Sequence, residues 1–362
     1  MITVYSDSQI INLEWIPNLK FPHPYIVCHN INEYEKATTP YKIAVTAHRL
    51  NCDLDPNGVA YQGFEEKIIR LSECSNLVFT LESELHNYHW TIWEQCHRPN
   101  VYWVQPGAVN DRDDMNANII YWGDWFKTTV LLYQALPDLV AQFKPYEIKP
   151  KSFDALLGSP KPHRDFVAQA VQQHNLQDQV VVSYGGSWHD TEFYAKDYFI
   201  WEPECVPEGP IIGTADYVRY HGELCHLSQV IPMSLFNDTA YSIIAETDHD
   251  NTLSFFSEKT AKPMIARRLF VAFTGYKFLS NLRQLGFQTF DGIINESYDL
   301  IKDDQARYAA AFEQVRYLCG HPQAEILERI RPIVEHNYNM LMNTNWTRYA
   351  TDRVQQKINL LF

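Results

Sequence analysis

The stretch that decides the fold runs from residue 241 to residue 299: YSIIAETDHDNTLSFFSEKTAKPMIARRLFVAFTGYKFLSNLRQLGFQTFDGIINESYD. An apolar run at 241–246 predicts a strand that ends in a carboxylate. Ser257 then stands where a helix N-cap is expected, ahead of a helical pattern. A second apolar run at 269–273 predicts another strand, and residues 277–285 predict another helix. This succession of strand and helix indicates a parallel sheet with helices packed on it.

The first part of the chain follows the same alternation. Strands are predicted at residues 1–5, 25–28, 42–47, 77–79 and 101–104, with helices at 63–72 and 83–96 between them. A second series begins later, with a helix at 163–174, a strand at 179–184 and loops at 185–213. The tail predicts helices at 304–319, 323–341 and 345–361.

An interdomain linker is predicted at residues 141–161, which contain Pro145, Pro150 and Pro160 and few apolar runs. We therefore expect an α/β protein with two Rossmann-like domains and a helical tail. The expected first domain comprises residues 1–145 and the expected second domain comprises residues 151–320, and we expect residues 321–362 to pack back on the first domain. Ligands of such facing domains are expected in the cleft, at the C-terminal ends of the strands.

Charge and missing motifs argue against several functional classes. The formal net charge of −14 disfavours nucleic acid as a nonspecific partner, since that role needs a basic surface. Aromatic residues make up 14% of the chain, and their flat rings suit sugar faces and nucleobases. The sequence contains no G-x-S-x-G, P-loop or G-x-G-x-x-G motif, so hydrolase, NTPase and dehydrogenase functions have no local support.

The location is predicted to be cytoplasmic. No basic segment followed by a long apolar run stands at the N-terminus, and no apolar run is long enough to span a membrane. The seven cysteines are widely spaced and odd in number, which favours free thiols in a reducing compartment over a disulfide framework.

The predicted helix start in the quoted stretch has the chemistry of an anion site. Free backbone N–H groups behind Ser257 can hold a phosphate, and the helix dipole favours negative charge there. Lys259 adds a full positive charge, and Glu258 can accept hydrogen bonds from ribose or sugar hydroxyls. Gly275, after the second strand, lets the backbone approach a ligand closely. Glu246 either touches the sugar or supports the loop.

The order of Glu246, F-F-S-E-K-T-A-K-P and a strand ending in glycine resembles the donor motif of the α1,3-fucosyltransferases, glycosyltransferase family 10. The resemblance implies a two-domain GT-B fold that uses GDP-fucose without an essential metal. It implies that residues 1–145 are the acceptor domain and residues 151–320 the donor domain. It implies that Glu258 contacts the ribose or sugar and that Lys259 contacts the diphosphate. The chain has K-P at 262–263 where that family usually has Asn-Ala, which leaves the sugar open.

A second motif, G-S-P-K-P-H-R-D-F-V at residues 158–167, looks like the segment that opens the donor domain in that family. Arg164 matches its basic residue. Arg219, the sole arginine between residues 184 and 240, is the candidate for a further phosphate contact. The resemblance covers roughly residues 158–275.

A catalytic base is sought in the first half of the chain, because an inverting transferase must deprotonate the acceptor hydroxyl. In the resembled family this base is a carboxylate of the N-terminal domain. Glu82 and Glu84 follow a predicted strand and are the candidates, with His48 as an alternative. Acidic residues at a helix start are also explained by the helix dipole alone.

Metal binding is not predicted. Three D-x-D pairs occur, at 53/55, 111/113 and 248/250, and such pairs can hold Mg²⁺ or Mn²⁺. Chance accounts for one or two of them in a chain with this many aspartates. His86 and His89 are one turn apart but lack a third ligand. Trp188 and Trp201 suit either stacking on a ligand or anchoring of a loop.

The function predicted from these features is a glycosyltransferase, metal-independent, that moves a sugar from a nucleotide-diphosphate sugar to a glycan or another hydroxyl acceptor. The donor is a substrate and no cofactor is predicted. One alternative is a phage-type enzyme that glycosylates a hydroxymethylated base in DNA, which requires a basic groove. The other is a non-catalytic binding protein on a GT-B scaffold.

Overall fold

The computed structural model describes residues 1–7, 15–47, 59–81, 94–185, 191–249 and 251–362. The chain divides into two compact units. The first contains Met1–Asp124 and Asn345–Phe362, and the second contains Trp125–Thr344. The second unit is continuous in sequence, whereas the first is completed by the C-terminal segment.

The strands are short and mostly buried, as expected for sheets covered by helices. In chain order, β1 to β15 are Ile2–Ser6, Tyr25–Cys28, Tyr41–Ala47, Leu77–Leu81, Val101–Gln105, Gly107–Val109, Ile119–Tyr121, Lys151–Gly158, Val180–Tyr184, Cys205–Pro207, Tyr217–Tyr220, Glu223–His226, Thr239–Ile244, Leu253–Phe255 and Phe270–Ala272.

The two longest helices of the described residues, Asp304–Gly320 and Gln323–Asn343, lie near the C-terminal end of the sequence. In chain order, α1 to α13 are Ile31–Lys36, Val59–Cys74, Asp113–Asn116, Asp124–Ala135, Pro137–Val140, Pro162–Gln173, Thr191–Trp201, Met233–Asp238, Glu258–Ile265, Phe278–Gln284, Asp304–Gly320, Gln323–Asn343 and Tyr349–Asn359.

The first unit is built on a six-stranded sheet in the order β2-β1-β3-β4-β5-β7. Every neighbouring pair in it is parallel. The apolar runs predicted as strands in this half therefore form one parallel sheet. The last helix, α13, packs into the same core, where Ala350, Val354 and Ile358 join apolar side chains of the sheet.

The second unit contains a four-stranded parallel sheet in the order β15-β13-β8-β9. Its central strands bury Phe153, Leu157 and Tyr241 completely. A separate three-stranded antiparallel sheet, β10-β11-β12, lies between α7 and α8 in sequence. The expected mixed α/β class, with parallel sheets and a helical C-terminal region, is confirmed.

Two predictions for this unit are wrong. Residues 151–158 of the predicted linker form β8, a central strand, because Phe153, Ala155 and Leu157 are buried in the sheet. The predicted loop region 185–213 contains helix α7 and strand β10. Its aromatic residues obscure a helical pattern, because apolar and polar positions do not alternate with a clear period.

A buried ion pair lies inside the sheet of the second unit. Asp154 of β8 and Arg268 are both 2% exposed and lie 2.8 Å apart, Oδ2 to Nη2. Asp154 also accepts hydrogen bonds from Thr239 and Ser242, and Arg268 donates to the carbonyl of Tyr241. Two charges in such a position require each other, since removal of either leaves the other uncompensated.

The E-S-Y-D run at residues 296–299 contacts the first turn of α10 and residues 289–290 of the loop that follows α10. Asp299 accepts hydrogen bonds from the backbone N–H groups of Leu279 and Ser280 and thereby caps α10. Glu296 accepts from Thr289 Oγ1 at 2.6 Å and from the N–H of Phe290 at 2.7 Å. Both carboxylates are buried, and their hydrogen bonds give this run a structural role.

No helix of the described residues is long and apolar enough to cross a membrane. The six cysteines that the structure describes are all free thiols.

Candidate functional site

The candidate site begins where β13 ends, with a buried carboxylate. Glu246 lies two residues after the strand and has no exposed surface. Its Oε1 accepts from the N–H of Ser257 at 3.0 Å and from Thr260 Oγ1 at 2.5 Å. Its Oε2 accepts from Ser257 Oγ at 2.5 Å. Burial raises the pKa of this carboxyl above its ordinary value. Glu246 therefore fixes the start of α9 to the end of β13.

The start of α9 matches the helix predicted from the sequence. Ser257 is the N-cap, and its hydroxyl accepts from the N–H of Lys259 at 3.3 Å. Lys259 Nζ lies 2.5 Å from Glu258 Oε1. Burial opposes the charge of Glu258, but Lys259 and Lys262 outweigh burial and hold its pKa below the ordinary value. Of this pair, Lys259 is the more exposed, at 22% of its side chain.

Two lysines from different helices meet at Thr247. Lys161 Nζ donates to the carbonyl of Thr247 at 2.5 Å, and Lys259 Nζ donates to its hydroxyl at 3.2 Å. Lys161 is the N-cap of α6, and Lys259 lies in the first turn of α9. Two ammonium groups and two helix N-termini therefore converge at the carboxyl edge of the sheet, where anions are favoured.

Arg164 lies at the same edge but is buried, at 3% exposure. Its guanidinium donates to the carbonyls of Ser159, Ala245 and Glu246 at 2.9, 3.2 and 3.2 Å. These carbonyls belong to the segments that leave β8 and β13. The side chain thus links the ends of β8 and β13, one to two residues before Thr247.

A buried, neutral histidine lies next to Glu246. His163 is fully buried, and its Nε2 lies 2.9 Å from the carbonyl of Glu246, which identifies Nε2 as the protonated nitrogen. Its ring stacks on that of His249, with centroids 4.6 Å apart. Burial, together with the charges of Arg164 and His249, lowers the pKa of His163 well below its ordinary value.

Lys262 is a buried cation one turn beyond Glu258 in α9. It is 4% exposed, and its Nζ donates to Tyr198 Oη at 3.0 Å and to the carbonyl of Val230 at 3.2 Å. Burial lowers the pKa of this lysine to about 7, although Glu258 acts in the opposite direction. Its charge therefore changes near neutral pH.

The other residues assigned to a donor site lie in different surroundings. Gly275 is buried after β15, and the left-handed φ of 62° in that turn belongs to Lys277. Arg219 lies in the antiparallel sheet, is 54% exposed and forms an ion pair with Glu208. Among the described residues, no contact joins Arg219 to the lysines at Thr247.

Several predicted residues lie outside the described residues: Glu82, Glu84, His48, His86, His89, Trp188, Asp53, Asp55 and Asp250. Trp201 ends helix α7. In the parts of the chain that the structure describes, no group of three or more His, Cys, Asp or Glu side chains could hold a metal ion.

Sequence reasoning missed three residues of this cluster: Lys161, Thr247 and Lys262. Lys161 stands in the quoted segment G-S-P-K-P-H-R and precedes a proline at the first helical position, which is a recognisable helix start. Thr247 follows Glu246 directly. Lys262 was noted only as a departure from the resembled motif, and its burial depends on residues distant in the sequence.

Comparison with protein-family models and with curated protein sequences finds no match for this chain.

Proposed function

We propose that the chain is a glycosyltransferase of the two-domain GT-B class and that the second unit binds a nucleotide-diphosphate sugar. The donor diphosphate binds at Thr247, between the N-termini of α6 and α9. The acceptor is a glycan or another hydroxyl compound.

The convergence of Lys161 and Lys259 on Thr247 is the observation that carries this proposal. Each ammonium group is held at a hydrogen-bonding distance from a different oxygen of one residue. The chain has a net charge of −14, so solubility does not require two lysines to lie next to each other. A ligand with two adjacent phosphates matches two adjacent cations, since each phosphate then has its own counterion.

The helix start adds a favourable electrostatic environment. The N–H groups of Lys259 and Thr260 donate to the hydroxyl and the carbonyl of Ser257, so α9 contributes through its dipole, which favours negative charge at this end. Glu258, ionised and next to Lys259, accepts hydrogen bonds from ribose or sugar hydroxyls. Glu246 acts as a positioning residue, because its carboxylate is engaged by Ser257 and Thr260 and has no exposed surface.

Catalysis in this proposal is mainly electrostatic. Departure of the nucleoside diphosphate builds negative charge on the leaving oxygen, and Lys161 and Lys259 stabilise that charge in the transition state. Arg164 adds a fixed positive charge behind them. Deprotonation of the acceptor hydroxyl needs a base, and Glu82 and Glu84 remain the residues proposed for that step.

A thermal-shift screen with GDP, UDP, CDP and dTDP, and with their sugar conjugates, tests the proposal. We expect at least one nucleotide to raise the melting temperature, by an amount that grows with the logarithm of its concentration relative to the dissociation constant. Lys259→Ala should reduce that shift, because it removes one of the two phosphate counterions. Lys144→Ala is the matched control, since Lys144 is a surface lysine of the same unit, at 56% exposure.

A screen in which none of these nucleotides changes the melting temperature refutes the donor-site proposal. Equal shifts for wild type, Lys259→Ala and Lys144→Ala would also refute it, because binding would then not involve the α9 lysine.

A further inference from the structure

Lys262 connects the candidate donor site to two segments that do not otherwise belong to it. Its Nζ donates to Tyr198 Oη in α7 and to the carbonyl of Val230, which precedes α8. The ammonium also lies 5.1 Å from the centre of the Tyr198 ring. Both hydrogen-bond acceptors are neutral, so neither provides the counterion that a buried ammonium needs.

The charges that face Lys262 come from three elements. Glu258 lies one turn earlier on the same helix, and Lys259 lies beside it. Glu246 faces it from the end of β13, and Asp154 faces it from β8. Asp154 is already paired with an arginine, and Glu246 is surrounded by hydroxyl and N–H donors. Glu258 is therefore the carboxylate with which Lys262 is most directly coupled.

Binding of a diphosphate changes the balance around Glu258. In the structure Lys259 Nζ lies 2.5 Å from Glu258 Oε1. A diphosphate at Thr247 competes for the same ammonium group, because its two phosphates together carry two negative charges against one on the carboxylate. Glu258 is only 5% exposed, so water compensates its charge weakly. Lys262 is then the nearest cation on the helix that can balance it.

We propose that Lys262 is a positioning residue of the donor site: in its protonated form it keeps Glu258 ionised and in place when Lys259 turns to the diphosphate, so donor binding takes up a proton. This inference rests on the proposed function of the same site. It assigns Lys262 a role through Glu258 and not through direct contact with the donor.

The titration of Lys262 sets the sign of the effect. Burial lowers its pKa to about 7. A bound diphosphate adds negative charge nearby and therefore raises that pKa. Donor affinity is then highest below about pH 7 and decreases as the pH rises. The total decrease is about tenfold for each unit by which binding raises the pKa of Lys262.

Titration calorimetry with a nucleotide-diphosphate sugar tests this inference in the full-length chain. Sugar conjugates are the appropriate probe, because their esterified diphosphate does not titrate near neutrality, unlike a free terminal phosphate. In wild type we expect affinity to fall between about pH 6 and pH 8.5. At about pH 7.5, the binding heat should differ between two buffers of unequal ionisation enthalpy, which reports proton uptake.

Lys262→Met keeps the length of the side chain and removes the charge. We expect this variant to bind with an affinity independent of pH over that range, close to the wild-type affinity at the alkaline end. Tyr198→Phe removes one acceptor of the ammonium and should move the midpoint of the wild-type profile to lower pH. It provides a second test should Lys262→Met fail to fold.

The outcomes separate the two proposals. Absence of binding by any nucleotide sugar overturns the proposed function itself. Binding with the same pH profile in wild type, Lys262→Met and Tyr198→Phe overturns the role of Lys262 while the donor site stands. A merely structural role for Lys262 lowers affinity equally at every pH, and that result also contradicts the inference.

Discussion

Replacement of Glu246 by alanine should loosen the start of α9 without unfolding the unit. The carboxylate accepts hydrogen bonds from the N–H and the hydroxyl of Ser257 and from the hydroxyl of Thr260, at 3.0, 2.5 and 2.5 Å. These contacts attach the helix to the end of β13. Alanine leaves all three donors in a buried position without this acceptor.

The magnitude follows from those contacts. Hydrogen bonds to a charged group contribute about 1.5–3 kcal/mol each, so three of them amount to roughly 4.5–9 kcal/mol. Removal of the carboxylate also removes the cost of burying its charge, which is several kcal/mol and is expressed in its raised pKa. We expect a net loss of about 3 kcal/mol in the local opening free energy of α9, because the two contributions partly cancel.

Hydrogen–deuterium exchange of the α9 amides measures this loss locally. A loss of about 3 kcal/mol accelerates exchange by roughly 150-fold, if opening limits exchange as an equilibrium. Glu147→Ala, which removes a carboxylate that is 62% exposed in the same unit, should leave α9 unchanged. Acceleration of less than about fivefold in Glu246→Ala, or an equal change in Glu147→Ala, would show that Glu246 does not hold the helix.

Three further predictions concern stability. Arg268→Met should lower the free energy of unfolding in urea by about 3–5 kcal/mol, because it leaves Asp154 buried without its counterion. A smaller loss in this single variant than in the double variant Arg268→Met with Asp154→Leu would contradict the prediction. Asp299→Ala should cost about 1 kcal/mol by uncapping α10, and exchange of its first amides should quicken. Lys262 keeps its proton up to the ordinary pKa of 10.5 in the unfolded chain but only up to about 7 in the folded chain, so the free energy of unfolding should rise as the pH increases from about 7 to 10.5. Lys262→Met should flatten that rise, which denaturation midpoints at the two pH values measure.

The fold could be predicted where local pattern determines it. The apolar runs of the first half became the strands of a parallel sheet, since short Val/Ile/Leu-rich segments between helical patterns have few other stable arrangements. Strand β8 was missed because Asp154 and flanking prolines make the segment look polar. Its burial is possible only because Arg268, far along the chain, compensates the charge.

The candidate site shows the same division. Ser257 as N-cap and Lys259 in the first turn of α9 followed from a capping pattern, which acts over a few residues. The meeting of Lys161 and Lys259 depends on the order of β8 and β13 in the sheet, which no local pattern records. The burial of Lys262 depends on Tyr198, distant in sequence, so its lowered pKa could not be anticipated.

A crystal structure of the protein with the nucleotide sugar that raises the melting temperature most tests the central claim most directly. The account predicts the diphosphate at Thr247, with oxygens within about 3 Å of Nζ of both Lys161 and Lys259. A nucleotide bound away from the ends of β8 and β13, with both lysines still on Thr247, would contradict it.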